Sequence, residues 1–296
     1  MSTLSLASPA PSAHKKMTTL GFRQKKEKGE PITMLTGYDY PTALALDQAG
    51  IDAILVGDSL GMVVLGYENT IPVTMEEMLH HCRAAARGVK SAFLIGDMPF
   101  MSYQVSVEEA VYNAGRLLKE GGVEAVKLEG GQVRLDVVHA IIGAGIPVMG
   151  HLGLTPQSVF AQGGFRPQGR TASAAKRLLD DAMLLEEAGC FSLVLESVPA
   201  RLAELISKRL AIPTIGIGAG AGCDGQVLVV HDLLGMFDRF TPKFVRKYAD
   251  LNAEMRRAFG EYIAEVTARR FPGEEHTVEM PEQEWECFKQ LTENKG

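Results

Sequence analysis

From Ile32 onward the chain alternates short, β-rich apolar runs with longer runs of helical period. The short runs are ITMLTGY (32–38), AILVGD (53–58), AFLIGD (92–97), AVKLEG (125–130), IPVMGH (146–151), SLVLES (192–197), PTIGIGAG (213–220) and QVLVVH (226–231). They are near-continuous in Val, Ile and Leu without polar alternation, the pattern of parallel strands buried on both faces. Helical segments lie between them, among them 75–88, 107–119, 172–188 and 199–210. Several close on a glycine before the next strand, at Gly50, Gly122, Gly145 and Gly189. Glycine stops a helix cleanly because it adopts the left-handed conformation without Cβ strain. Eight strands alternating with helices predict an α/β protein with a (β/α)₈ TIM barrel, an open doubly wound sheet being the alternative. Closure is favoured by the count of eight. It is also favoured by the polar residue that nearly every unit places at its strand's C-terminal end, the face where such barrels carry their active sites. The last run continues into DLLGMF, so it reads equally as the start of a helix.

Two segments stand outside this repeat. Lys15–Gly29 is basic and helix-compatible, an N-terminal helical extension that would plug or flank the lower end of the barrel. Helical patterns at 243–259 and 261–271 would supply the last barrel helix and a C-terminal extension. No linker divides the chain. The expected organisation is a disordered tail over 1–16, a single catalytic barrel over 17–271 and an acidic, polar surface tail over 272–296.

Composition narrows the function more than the fold. A chain of 296 residues, 46% hydrophobic and 22% charged, is ordinary globular protein with a large core. Its formal net charge of −6 argues against nucleic-acid or anionic-membrane binding, so an anionic ligand must be held by local groups. The four cysteines (Cys82, Cys190, Cys223, Cys287) are scattered with no CxxC spacing, as small buried hydrophobes of a reducing compartment would be. Residues 1–13 lack the basic start and apolar core of a secretory signal, and no apolar run has transmembrane length. A cytoplasmic location is expected.

The candidate chemistry sits at strand ends. VGDSLG (56–61) and IGDMPF (95–100) place Asp58 and Asp97 each after an apolar strand and a glycine. Buried carboxylates are costly to desolvate and would repel each other unless a cation lay between them. Mg²⁺, hard and oxygen-seeking, is the natural candidate. Capping of the following helix is the plainer use of either Asp alone. VKLEGG (126–131) adds Lys127 and Glu129, which share one face of a strand. If that face is the barrel interior, Lys127 meets an anionic substrate and Glu129 turns to the metal; otherwise they are a structural ion pair. His151, in GHLGLTP (150–156), reads as a hydrogen-bonded structural residue as readily as a catalyst. Glu196, in LESVP (195–199), is a carboxylate in an apolar run, where burial would raise its pKa towards general-base duty. The glycine-rich loop GIGAGAGCDGQ (216–226) is by itself a weak sign of phosphate contact. HExxH and Walker signatures do not occur.

Taken in order, MLTGYDYPTA (34–43), VGDSLGMVVLGYENTIPVT (56–74), GDMPFMSY (96–103), VKLEGG, MGHLGLTPQS (149–158), LVLESVP (193–199), IPTIGIGAG (212–220) and DGQVLVVHDLLG (224–235) carry a family resemblance. From about 19 to 271 the chain resembles the ketopantoate hydroxymethyltransferase (3-methyl-2-oxobutanoate hydroxymethyltransferase) family of pantothenate synthesis. The resemblance implies that Asp58 and Asp97 ligate Mg²⁺ and that Glu129 completes the site, directly or through water. It implies that the 2-oxo acid chelates the same ion with help from Ser59 and Lys127, and that Glu196 accepts the proton. The one-carbon donor would be 5,10-methylenetetrahydrofolate, and the assembly a large ring-based homo-oligomer, a decamer among the options. His151 could then hydrogen-bond the new hydroxyl. The competing enzyme class is the phosphoenolpyruvate mutase and isocitrate lyase type, whose KKCG-type loop is absent from this sequence. A non-enzymatic barrel would have lost or paired off its strand-end carboxylates.

Overall fold

The structure, a computed structural model, describes residues 15–293. Eight parallel strands close into a barrel in sequence order: β1 (Ile32–Thr36), β2 (Ala53–Val56), β3 (Phe93–Asp97), β4 (Ala125–Glu129), β5 (Val148–Gly153), β6 (Ser192–Glu196), β7 (Thr214–Ile217) and β8 (Gly225–Leu228), with β8 pairing back onto β1. This is the expected (β/α)₈ fold, and its closure excludes the open sheet. The helices are α1 (Thr19–Lys28), α2 (Tyr40–Gln48), α3 (Leu60–Val63), α4 (Met75–Ala86), α5 (Val107–Lys119), α6 (Leu135–Gly143), α7 (Ala172–Glu187), α8 (Ala200–Arg209), α9 (Val230–Leu233), α10 (Leu251–Thr267) and α11 (Glu282–Glu293). None in the described residues is long and apolar enough to cross a membrane.

Local chemistry explains the boundaries. Asp39, Thr74, Ser106 and Thr171 cap α2, α4, α5 and α7 by accepting from free backbone N–H groups of the first turn. Gly50, Gly122, Gly145 and Gly189 all have positive φ after a helix, as their position required. β5 starts two residues later than expected because Pro147 has no N–H to give a strand neighbour, and it runs on to Gly153. β8 ends at Leu228, and the following VHDL is the short helix α9. No helix links β7 to β8; the glycine-rich loop does so directly.

Side chains alternate in and out along each strand, giving two apolar layers. Ile54, Val56, Leu94, Val126 and Leu128 face outward under the helices. Ile32, Met34, Ala53, Leu55, Phe93, Ile95, Ala125, Met149, Val194, Ile215 and Val227 fill the interior. The lower end is closed by α1, as anticipated. Its Phe22 is fully buried, edge-on to Phe93 and Phe191 at 5.8 and 5.5 Å. Lys25 and Lys26 of α1 pair with Asp52 and Asp224 at 2.6 and 2.8 Å.

The chain divides into two compact units, one ending at Tyr248 and one starting at Ala249. The barrel's unit thus ends before the limit expected at Phe271. The helical patterns expected at 243–259 and 261–271 are in fact the single helix α10, and 243–250 are not helical. Gly260 does not break it, since a mid-helix glycine costs only about 1 kcal/mol against alanine. The tail expected over 1–16 lies, up to residue 14, outside the described residues; that over 272–296 includes α11, whose side chains are not buried.

Candidate active site

The interior series that builds the core also builds the site. Continuing each inward-facing row by one step, or two on β4, towards the strand's C-terminus gives Thr36 after Met34, Asp97 after Ile95, Lys127 and Glu129 after Ala125, His151 after Met149, and Glu196 after Val194. The register sets Asp97 beside Lys127, and Glu129 beside His151. The question left open for Lys127 and Glu129 is thereby answered: both point into the barrel and both are buried. Asp58 arrives differently. The interior slot above Leu55 is Gly57, where a side chain would crowd Ser59 and Asp97. The turn after it brings the buried Asp58 to the same mouth. Asp58 caps no helix: its N–H donates to Asp97 Oδ2 at 3.1 Å and its Oδ2 accepts from Gln157 Nε2 at 2.9 Å.

All seven candidate residues line one cavity of about 640 Å³ at this face. Lys127 Nζ lies 2.7 Å from Asp97 Oδ1 and 3.4 Å from His151 Nδ1. The first contact is a close ion pair but not an aligned hydrogen bond, so Asp97 Oδ1 is buried without a directed donor. His151 Nε2 is 3.1 Å from Glu196 Oε2, again out of line. Ser59 Oγ shares a hydrogen bond of 2.9 Å with the Tyr38 hydroxyl.

Four carboxylates therefore face one ammonium, and the proton affinities of Asp58, Glu129 and Glu196 respond. Burial, followed by Asp97, raises Asp58 to about 7. Burial likewise raises Glu196 to about 7, with Lys127 opposing, and raises Glu129 well above the ordinary glutamate range. Burial alone would discharge Lys127, but Asp97, Asp58 and Glu129 outweigh it and hold the lysine protonated. His151 is pushed well below its ordinary value, first by burial and then by Lys127, so its ring is neutral.

This excess of hard anionic oxygens over cations, with one oxygen undirected, fits a hard divalent ion held by one or two carboxylates. Among the described residues no three His, Cys, Asp or Glu side chains already converge on one point. The fit is thus to a two-carboxylate site that leaves positions for water and substrate, not to a closed protein cage.

Several participants carry no recognisable signature. Gln157 donates to Asp58 and to the Met98 carbonyl, its N–H donates to Glu129 Oε2 at 3.1 Å, and its Oε1 accepts from Tyr103 at 2.7 Å. A lone glutamine in a loop has no spacing that would single it out. Asp232, on α9, lines the upper wall and is 9% exposed, raised to about 6 by burial against the pull of Lys247.

Fold and site define an α/β-barrel enzyme with its polar groups gathered at the C-terminal mouth. The sequence model of the ketopantoate hydroxymethyltransferase family matches residues 16–274. The chain belongs to that family. It is 60% identical over 266 residues to the 3-methyl-2-oxobutanoate hydroxymethyltransferase of Syntrophus aciditrophicus, covering 90% of this chain and 98% of that one. It is likewise 60% identical over 261 residues to that of Enterococcus faecalis, covering 88% and 95%. These relatives make the chain an enzyme, a hydroxymethyltransferase. In shape it is similar to the phosphoenolpyruvate phosphomutase of Streptomyces platensis, with TM-score 0.58 and 14% identity over 94% of this chain and 98% of that one. It is also similar to a 2,3-dimethylmalate lyase of the PEP mutase/isocitrate lyase superfamily, with TM-score 0.54 and 15% identity over 93% and 95%. At such identity the likeness is one of fold alone.

Proposed function

We propose that the chain transfers a one-carbon unit from 5,10-methylenetetrahydrofolate to C3 of 3-methyl-2-oxobutanoate, through an enolate and with Mg²⁺. In the overall change the C3–H proton leaves, a carbon–carbon bond forms to the methylene carbon, and its bonds to the folate nitrogens break. Water supplies the hydroxyl of the new CH₂OH group, and tetrahydrofolate departs.

Asp58 and Asp97 would hold the ion, with Glu129 adjoining directly or through water. When bound, it supplies a Lewis acid for the keto oxygen. Lys127, held charged by its carboxylate neighbours, places a second positive group where enolate charge develops. For the same reason it is a poor proton acceptor. Ser59, oriented by Tyr38, can donate to the substrate carboxylate. Glu196 takes the C3 proton, since a carboxylate whose pKa lies near 7 matches base strength to neutral pH. The neutral His151 beside it can bond the product hydroxyl. One observation supports this division of labour above the rest: a protonated lysine and a burial-raised glutamate face one cavity from different strands.

The test is formation of ketopantoate from the oxo acid and methylenetetrahydrofolate, with and without Mg²⁺. Loss of product on EDTA treatment and its return with Mg²⁺ is the expected result; undiminished turnover in EDTA rules out the metal. We also propose a homo-oligomer, supported by the exposed apolar side of α10.

A further inference from the structure

The cavity is far larger than a branched oxo acid needs, and its two levels differ in chemistry. The floor is the cluster of carboxylates, lysine and histidine. The wall above it is aromatic: Phe165, Phe237, Phe240 and Phe244 line it, and Phe165 and Phe240 are 50% and 52% exposed. Large apolar rings left open around one concavity mark a ligand surface, and rings of this kind favour another flat ring. Set into this wall is one acid. Asp232 lines the cavity and is more than nine-tenths buried, yet no donor among the described residues hydrogen-bonds its carboxylate. Its two oxygens open onto the cavity, where a ligand offering two adjacent N–H groups would satisfy both at once.

We propose that Asp232 is the recognition residue for the pterin of the co-substrate, accepting from N3–H and the 2-amino group while the phenylalanine collar packs on the ring faces. This rests on reading methylenetetrahydrofolate as the one-carbon donor. The pyrimidine edge lies across the bicycle from the nitrogens that carry the methylene. Anchoring that edge in the upper wall therefore turns the one-carbon unit down towards the floor, where C3 of the oxo acid would be held. The role is positioning and selectivity: a carboxylate here rejects rings that lack the paired donors, because it would be left unpaired.

The probe is 5-formyltetrahydrofolate, a stable relative of the donor, with binding read by calorimetry in the presence of Mg²⁺. Asp232→Asn should raise its Kd by about 10- to 100-fold, the range for a lost hydrogen bond to a charged group. KM for 3-methyl-2-oxobutanoate should move far less. An analogue lacking the 2-amino group should bind the unmodified chain at least about tenfold more weakly than its parent compound. Asp232→Asn should hardly tell the two apart. The inference is overturned if the variant binds 5-formyltetrahydrofolate as tightly as the unmodified chain, or if removing the 2-amino group costs both proteins equally. Should the variant not fold, the analogue pair on the unmodified chain still decides, equal affinities being the negative result. An unmodified chain that binds neither folate and makes no product from methylenetetrahydrofolate instead removes the donor reading, and this inference with it.

Discussion

A buried carboxylate whose proton affinity is raised is at once a cost to the fold and a resource for proton transfer, and Glu196 illustrates both. Its acid form is favoured in the folded chain, so its stabilising contribution is complete below its ordinary value of 4.5 and is lost as pH rises through about 7. Over that interval it becomes the base. Exchange of the C3 proton of 3-methyl-2-oxobutanoate with deuterium, followed with Mg²⁺ but no folate, should therefore rise with pH and level off above about 7. Glu196→Gln should bind the oxo acid normally but lose exchange by ~10²–10⁴. Brisk exchange in that variant, with only the folate-dependent step impaired, would show that Glu196 holds some other group. Gln157 makes a complementary case. Gln157→Ala leaves Asp58 Oδ2 without its side-chain donor, while the backbone N–H to Glu129 Oε2 stays. Mg²⁺ affinity or activity should then fall by about 10- to 100-fold, as for lost partners of metal-binding groups elsewhere. Wild-type Mg²⁺ dependence in that variant would remove Gln157 from the site.

At the scale of elements, the strands were legible because a parallel strand buried on both faces must be apolar throughout, and such runs have few other uses. The strand-end polar residues were legible for the complementary reason, that polarity at the end of such a run needs explaining. Asp97, Lys127, Glu129, His151 and Glu196 follow from this rule, and the structure brings them to one mouth. What the sequence concealed were contacts fixed only by tertiary folding. Gln157 and Tyr103 meet across more than fifty residues of chain, and Asp232 lay in a run that read as strand or helix. The end of the barrel's unit was obscured because the helical periodicity of 243–259 spans an irregular segment and the first half of α10. The extension α1 was legible as a helix that would plug or flank the lower end, but not which side chain seals it, and Phe22 is its one fully buried side chain. Phe22→Ala should cost about 3–5 kcal/mol by opening a hole among Phe93 and Phe191. Because the hole is at the opposite end from the site, KM should change little. Chemical denaturation together with steady-state kinetics checks both, and a large rise in KM without loss of stability contradicts the plug.

At the scale of the whole molecule, α10 raises the question of what covers it. Met255, Phe259, Tyr262, Ile263 and Val266 recur at intervals of three and four residues, so they form one stripe, and every one is exposed. An amphipathic stripe of this kind gains stability only when removed from water, by roughly 25 cal/mol for each Å² of apolar surface buried. A second copy of the chain would bring an identical stripe, and a two-fold contact between like surfaces is the commonest way that soluble chains associate. The unmodified protein should therefore sediment as a multiple of its 32.0 kDa chain. Replacing Phe259 and Ile263 together by Glu should yield a smaller species, because like charges would then meet across the contact. Neither residue lines the cavity, so retained deuterium exchange would show that the barrel had stayed intact. If the double variant sediments as the unmodified protein does, the assembly is held by other surfaces. If the unmodified chain is itself a monomer, no homo-oligomer exists for α10 to support.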